Sequence, residues 1–282
     1  MRPLFFLSLL APAFVLASEE GVNPKATDLF EIGGIPVSNT ILTTWILTAL
    51  IIIAIRVLVG TPKIVPRKGQ ALVENVASGL RDALEPIVGK KMIGKTFPVL
   101  CGFFVFILLM NWSGLLPGVG TIKYQSADGH WLDAIRPANS DLNTTLALSI
   151  LSFLAWTYFV LRYAGFKALV FDLFGNKADK RELSMLMWLM LGFIFLGVGV
   201  IEVLSIASRL ISLPFRLYGN VFGGENLIHT LGGIAPYVVP AIAGMLEVLV
   251  GLIQAFVFTL LSAVYIGLIC NHDAGHDDEH AQ

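Results

Sequence analysis

Charge is scarce in this 282-residue chain: 14% of its residues are charged, 56% are hydrophobic, and the mean hydropathy is +0.77. Soluble domains carry about 25% charged residues, so a soluble enzyme and a disordered chain are both excluded and several bilayer-crossing helices are expected. Cysteine is scarcer still. Cys101 and Cys270, the only two, lie far apart in apolar segments, which excludes a disulfide or cysteine-metal framework. Positive charge is not in excess either, with 19 Lys and Arg against 20 Asp and Glu, so nothing draws the chain to nucleic acid. Of the 5 histidines only His229 falls in a stretch that can span a membrane, too few for a haem-bearing membrane subunit. An intramembrane protease is excluded by the lack of His-Glu-x-x-His and of aspartate in any span. No phosphate-binding loop, cofactor or metal site is expected.

What the chain does have is a graded series of apolar stretches. It opens with Arg2, a run from Leu4 to Ala17 too short to cross a bilayer, and small residues at Ala17 and Ser18. This predicts a signal peptide over 1–18, cleaved to leave an outer, polar N-terminal segment over 19–40. The membrane domain is expected over 41–270, with simple spans near 41–59, 97–116 and 144–161. Lys63, Arg67, Lys68, Arg81, Lys90, Lys91 and Lys95 crowd the first connection, whereas the next holds only Lys123 and Arg136. A second basic segment, with Arg162, Lys167, Lys177, Lys180 and Arg181, follows the third span. By the positive-inside rule both basic segments are cytoplasmic. Inside the first, Ala71, Leu72, Val76, Leu80, Leu84 and Ile87 recur at helical spacing, which predicts an amphipathic helix lying on the membrane surface or solvated against a partner. Asn143-Thr144-Thr145 reads as a helix-capping cluster. An odd number of spans places the polar tail over 271–282, with His272, His276 and His280, in the cytoplasm as a solvated terminus.

From Ser184 to Cys270 the chain is almost continuously apolar, broken near Gly232 to Pro236. The two stretches, 184–231 and 237–270, exceed one simple crossing and predict a hairpin of long tilted helices, with Pro214, Gly219, Gly223 and Gly224 marking where an interruption would fall. Glu202, Arg209, Arg216, Glu225, His229 and Glu247 all lie within it. An ionisable group in hydrocarbon costs about 2.5–3.5 kcal/mol on insertion scales, so this set requires a shared aqueous or protein-lined environment, as an ion pathway supplies. Glu202, Arg209 and Arg216 are spaced by sevens and drift only about 20° per step, forming one stripe with Ser205, Ser212 and Asn220 a turn away. Glu247 and Gln254 repeat the spacing on the second arm. Arg209 and Glu202 fit equally well an ion pair that merely joins helices. Arg216 sits among small residues and cannot release its proton, which suits a fixed positive charge.

The run from Ser212 to Glu225, with Arg-Leu-Tyr-Gly-Asn at 216–220, Gly-Glu nine residues after the arginine and Gln254-Ala255-Phe256 downstream, resembles the a subunit of bacterial F-type ATP synthase over nearly the whole mature chain. The resemblance implies an all-α, multi-pass inner-membrane protein with about five membrane helices, not catalytic by itself, that forms two offset proton half-channels against a rotating c-subunit ring. It further implies the b subunits of the peripheral stalk and the remaining synthase subunits as partners. By resemblance Arg216 matches the arginine facing the ring carboxylates, and Glu202, Ser212, Asn220, Glu225 and Gln254 match polar positions lining the half-channels; Arg209 and His229 are secondary candidates. Glu247 matches a position often held by histidine, a departure that alters the outer relay. Close carboxylates at Glu225 and Glu247 would repel and suit proton relay. A secondary transporter or independent ion channel is the competing class; it usually shows an internal repeat, and none is found between the halves.

Overall fold

The computed structural model describes residues 26–116, 119, 123–125, 131–133, 135–166, 169–170, 185–232 and 238–270. The expected signal peptide, the histidine-bearing tail and most of the second basic segment lie outside the described residues. Among the described residues five helices are long and apolar enough to cross a membrane, in agreement with the all-α membrane class, and the chain is a multi-pass membrane protein.

Two short strands, β1 (Asp28–Ile32) and β2 (Ile35–Ser38), precede the first span as an antiparallel hairpin inside the segment read only as polar. Its loop is Gly33-Gly34, both at positive φ (61° and 84°), the conformation that a tight two-residue hairpin turn demands and glycine adopts without strain. Ser38 then caps α1 (Asn39–Val59), its Oγ accepting from the Ile41 amide at 3.4 Å. A second small hairpin, β3 (Lys123–Gln125) with β4 (Trp131–Asp133), lies in the loop between the second and third spans.

The amphipathic segment is helix α2 (Lys68–Val88). Leu80, Leu84 and Val88 are buried, while Leu72 and Val76 are exposed. Its C-terminal half packs on the protein's own α3 (Lys90–Ser113) and on α6 (Val238–Cys270). A Cβ on Gly267 of α6 would collide with the Ile87 carbonyl, so glycine is what permits this approach. Helix α3 begins at Lys90, earlier than the apolar run near 97, directly after Gly89, whose positive φ of 88° ends α2 and turns the chain into the next helix. Helix α4 (Leu142–Phe159) is capped by Asp141, whose carboxylate accepts from the Asn143 amide at 3.0 Å, and closes in a π turn at Val160–Ala164. The cap is thus one residue pair upstream of the expected cluster.

Long helices α5 (Met185–Gly232) and α6 form the expected hairpin. Cross-contacts fix antiparallel pairing: Asn220 meets Gln254 and Arg209 meets Tyr265. Lys95 and Arg162 both lie over the Tyr163 ring, at 4.2 and 5.7 Å, so the two basic segments share one end of the bundle. Helix α6 is the central element, packed most extensively on α3 and α5, with Phe103 meeting Phe258 edge to face at 5.8 Å in the core.

No interruption occurs at Pro214; α5 is helical straight through it. A proline inside a helix removes the bond to the carbonyl four residues earlier, here Leu210, and in hydrocarbon that oxygen needs another donor. Ser149 of α4 provides it, its hydroxyl donating to the Leu210 carbonyl at 2.9 Å. Ser149→Ala is therefore expected to destabilise the fold by about 1–3 kcal/mol, read as a lower thermal midpoint of the purified protein in detergent; an unchanged midpoint would show that Leu210 finds a different donor.

Candidate functional site

The hairpin sorts its polar side chains by height. Toward the basic end, α4, α5 and α6 enclose a cavity of about 210 Å³ lined by Ser149, Ser152, Glu202, Arg209, Ser262 and Tyr265 among apolar neighbours. Arg209 is satisfied there. One of its Nη atoms lies 3.7 Å from Glu202 and donates to Ser205 Oγ at 2.8 Å, and its guanidinium stacks 3.8 Å over the Tyr265 ring. Ser152 and Ser262 bond to each other at 2.8 Å across α4 and α6, giving the cavity a hydroxyl wall. Ser212, an exposed residue, donates to the Arg209 carbonyl at 3.4 Å.

About two turns of α5 beyond Arg209, Arg216 differs from it. It is exposed, and among the described residues it has no ion-pair partner. Its face of α5 carries Ile201, Leu204, Ile211 and Phe215, all exposed, and Gly197, Gly219 and Gly223, where an added Cβ would meet nothing. The result is a long, largely apolar face with shallow notches, the exposed hydroxyls of Ser208 and Ser212, and one permanent charge without an ion-pair partner among the described residues.

Beyond Arg216 the polar atoms turn inward between helices. Asn220 donates to Gln254 Oε1 at 3.1 Å, and Gln254 is buried. Glu247, one helical face with Gln254, lies against Gly224: a Cβ there would sit 2.9 Å from its Oε1, so the carboxylate fills the space a side chain would take. Glu225 follows Gly224 directly on α5 and so stands at the same height as Glu247. His229 continues α5 one turn past Glu225, but its side chain lies outside the described residues.

Three residues of this end were not singled out in the sequence. Arg136, only 6% exposed at its side chain, places Nη2 3.3 Å from Glu225 Oε2. Asn111 of α3 donates to the Gly251 carbonyl at 3.1 Å and accepts from Asn139 at 2.7 Å, so an asparagine pair abuts α6 between Glu247 and Gln254. Arg136 had been counted only as a loop cation; no periodicity links it to Glu225, 89 residues away. For Asn111, a lone amide near the end of an apolar span was the available signal. The expected absence of a phosphate-binding loop is corrected at the level of sequence: the run Gly89 to Thr96 has that spacing. It follows helix α2 rather than a strand, and residues 90–96 are already helical, so the run lacks the strand–loop–helix setting of that motif.

A family model described as ATP synthase A chain matches residues 41–267. The chain is 30% identical over 243 residues to ATP synthase subunit a of Moorella thermoacetica, covering 86% of this chain and 95% of that protein. It is 33% identical over 230 residues to ATP synthase subunit a of Geotalea daltonii, covering 81% and 86%. Similarity to ATP synthase subunit a 2 of a Bradyrhizobium species is 29% over 242 residues, covering 86% and 93%.

The asparagine pair makes a direct stability test. Asn111→Leu keeps the number of side-chain heavy atoms but strands the Asn139 amide and removes a donor from Gly251, which is expected to cost about 1–3 kcal/mol. A lower thermal midpoint followed by tryptophan fluorescence in detergent, with Trp112 as a local reporter, checks it.

Proposed function

We propose, because this chain belongs to the ATP synthase A chain family, that it is the proton-conducting stator subunit of an F-type ATP synthase, working beside a rotating ring of carboxylate-bearing c subunits. The observation that carries this reading is Arg216: a permanent cation, exposed on an apolar helix face and without an ion-pair partner among the described residues. A charge left on hydrocarbon costs about 2.5–3.5 kcal/mol or more, so the face calls for a partner that brings negative charge into the membrane. A ring of carboxylates supplies it, and the glycine notches let its helices come close.

In this reading Glu202 and Ser212, with Arg209 and the cavity beside them, line the access route from the basic, cytoplasmic end. Asn220, Gln254, Glu225 and Glu247 line the route from the outer end, with His229 a turn beyond. A proton entering from outside neutralises a ring carboxylate, which then faces lipid without a charge penalty; rotation brings it round to the inner route. There Arg216 favours the ionised carboxylate, and the proton departs. Since the arginine keeps its own proton at every working pH, it separates the two routes instead of joining them. Each charge moved across 100 mV supplies about 2.3 kcal/mol, so a leak past Arg216 dissipates the drive for synthesis. The nucleotide chemistry belongs to the partner subunits, and this chain is not catalytic alone. The b subunits hold it against the ring, in a bacterial inner membrane, with the mature N-terminus outside after signal cleavage and the C-terminus in the cytoplasm. In the same reading, the exposed half of α2 lies at the cytoplasmic membrane surface.

The test is ATP-driven proton pumping in inverted vesicles carrying the assembled complex, native against Arg216→Ala at matched assembly. Pumping is expected to fall to background, with a passive proton leak where the seal between the routes is lost. Undiminished pumping would make Arg216 a structural residue and favour an independent transporter.

A further inference from the structure

Arg136 is the most deliberately held cation among the described residues. Its backbone amide donates to Thr43 Oγ1 of α1 at 3.3 Å. The next residue, Pro137, packs on Gly114 at the end of α3, where an added Cβ would sit 3.0 Å from the proline ring. The 3₁₀ turn Ala138–Ser140 follows, buried throughout, and leads to Asp141, which caps α4 and accepts from Thr40 at 3.1 Å. Three elements thus fix one residue so that its guanidinium reaches Glu225, with 6% and 16% side-chain exposure for the two partners. Such burial separates it from surface ion pairs, which contribute little and form by chance.

The charge balance there is unusual. Glu247 lies against Gly224, the residue before Glu225, so two carboxylates stand at one height; Asp141 is engaged by its cap and by Thr40, and Arg136 forms an ion pair with Glu225. We propose that Arg136 is a positioning residue of the ion path: the fixed counter-charge that lets Glu225 and Glu247 share a single removable proton. The inference rests on the proton-conducting reading above. Arg136 makes the net charge of the two carboxylates less negative by one in each protonation state, so neither step in a poorly hydrated site runs through the larger negative charge they would carry without it. A proton then passes between carboxylate oxygens, and onward to the ring, without any state of large net charge. Nothing else is made or broken.

An alternative in which Arg136 only ties the loop to the hairpin makes different predictions for charge and shape. ATP-driven pumping is compared in inverted vesicles at matched content of the assembled complex. Arg136→Gln is expected to lose at least about tenfold, and Arg136→Lys, which keeps the charge, to stay within about threefold of native. The double variant Arg136→Gln with Glu225→Gln removes one charge of each sign and leaves Glu247 to carry, so it is expected to pump several times faster than Arg136→Gln alone. Native pumping in Arg136→Gln, or a double variant no better than the single, overturns the inference. Should Arg136→Gln not accumulate, Arg136→Lys decides: near-native pumping supports the inference, and an assembled complex about tenfold down or more overturns it. Arg216→Ala run alongside separates the two levels. If it too pumps normally, the proton-conducting reading fails; if it is dead while Arg136→Gln pumps, only the role of Arg136 fails.

Discussion

Hydrocarbon holds no water to hydrogen-bond a stray polar group, so each donor and acceptor between these helices has to be met by the chain itself. Much of the packing follows from that demand. Ser149 answers the carbonyl that Pro214 frees on α5, tying α4 to the hairpin at that height. Trp112 donates to the Val248 carbonyl at 3.0 Å, Asn111 to Gly251, and Trp156 to Tyr265 at 3.1 Å, so α6 is gripped through its backbone from α3 on one side and α4 on the other. Hydrophobic burial between helices gives no directional preference, and lipid competes with it; these bonds set register and rotation.

Measured against that demand, the two arms of the hairpin are opposites. Helix α6 buries Gln254, Thr259 and Ser262 beside Phe258 and Ile266 and behaves as the centre of the bundle. Helix α5 commits one side to α4 and α6 and leaves the other, from Ile201 to Phe215, exposed. Exposure of apolar residues is ordinary for a helix facing lipid. Exposure of Arg216 on the same face is not, and it is the one hairpin cation for which the chain offers no counter-charge among the described residues. In the proposed reading that departure from self-sufficiency is where the partner ring is needed.

The spans, the hairpin and the shared side of the two basic segments were legible from the sequence because each is a property of length, apolarity or charge along a continuous run. The continuity of α5 through Pro214 was less so, since what permits it is a serine on another helix. Glu202, Arg209, Asn220 and Gln254 were legible because seven-residue spacing sets them on or beside a stripe of each arm, whereas the contact between Asn220 and Gln254 appears only in the fold. Arg136 escaped for the complementary reason. It lies in a loop, where no period applies, and its meaning appears only when folding carries it beside Glu225. The Gly33-Gly34 hairpin did carry a local signal, a two-glycine turn between residues suited to strands, which the polar character of the segment masked.

The arrangement of the three arginines also follows from Coulomb's law. Charges in a poorly screened environment act over long distances, so three unneutralised cations, two on α5 and one in the loop beside it, would blur into a broad positive field. Arg209 is offset by Glu202 and spread over the Tyr265 face, and Arg136 is offset by Glu225. What remains along α5 is dominated by Arg216, localised to about one helical turn. On the proposed reading, a boundary between two half-channels has to be sharp: a ring carboxylate must be favoured in its ionised form next to the arginine and released from that influence a step away. Pairing the flanking arginines confines the field to that step, so the ion pairs on either side do more than hold helices together.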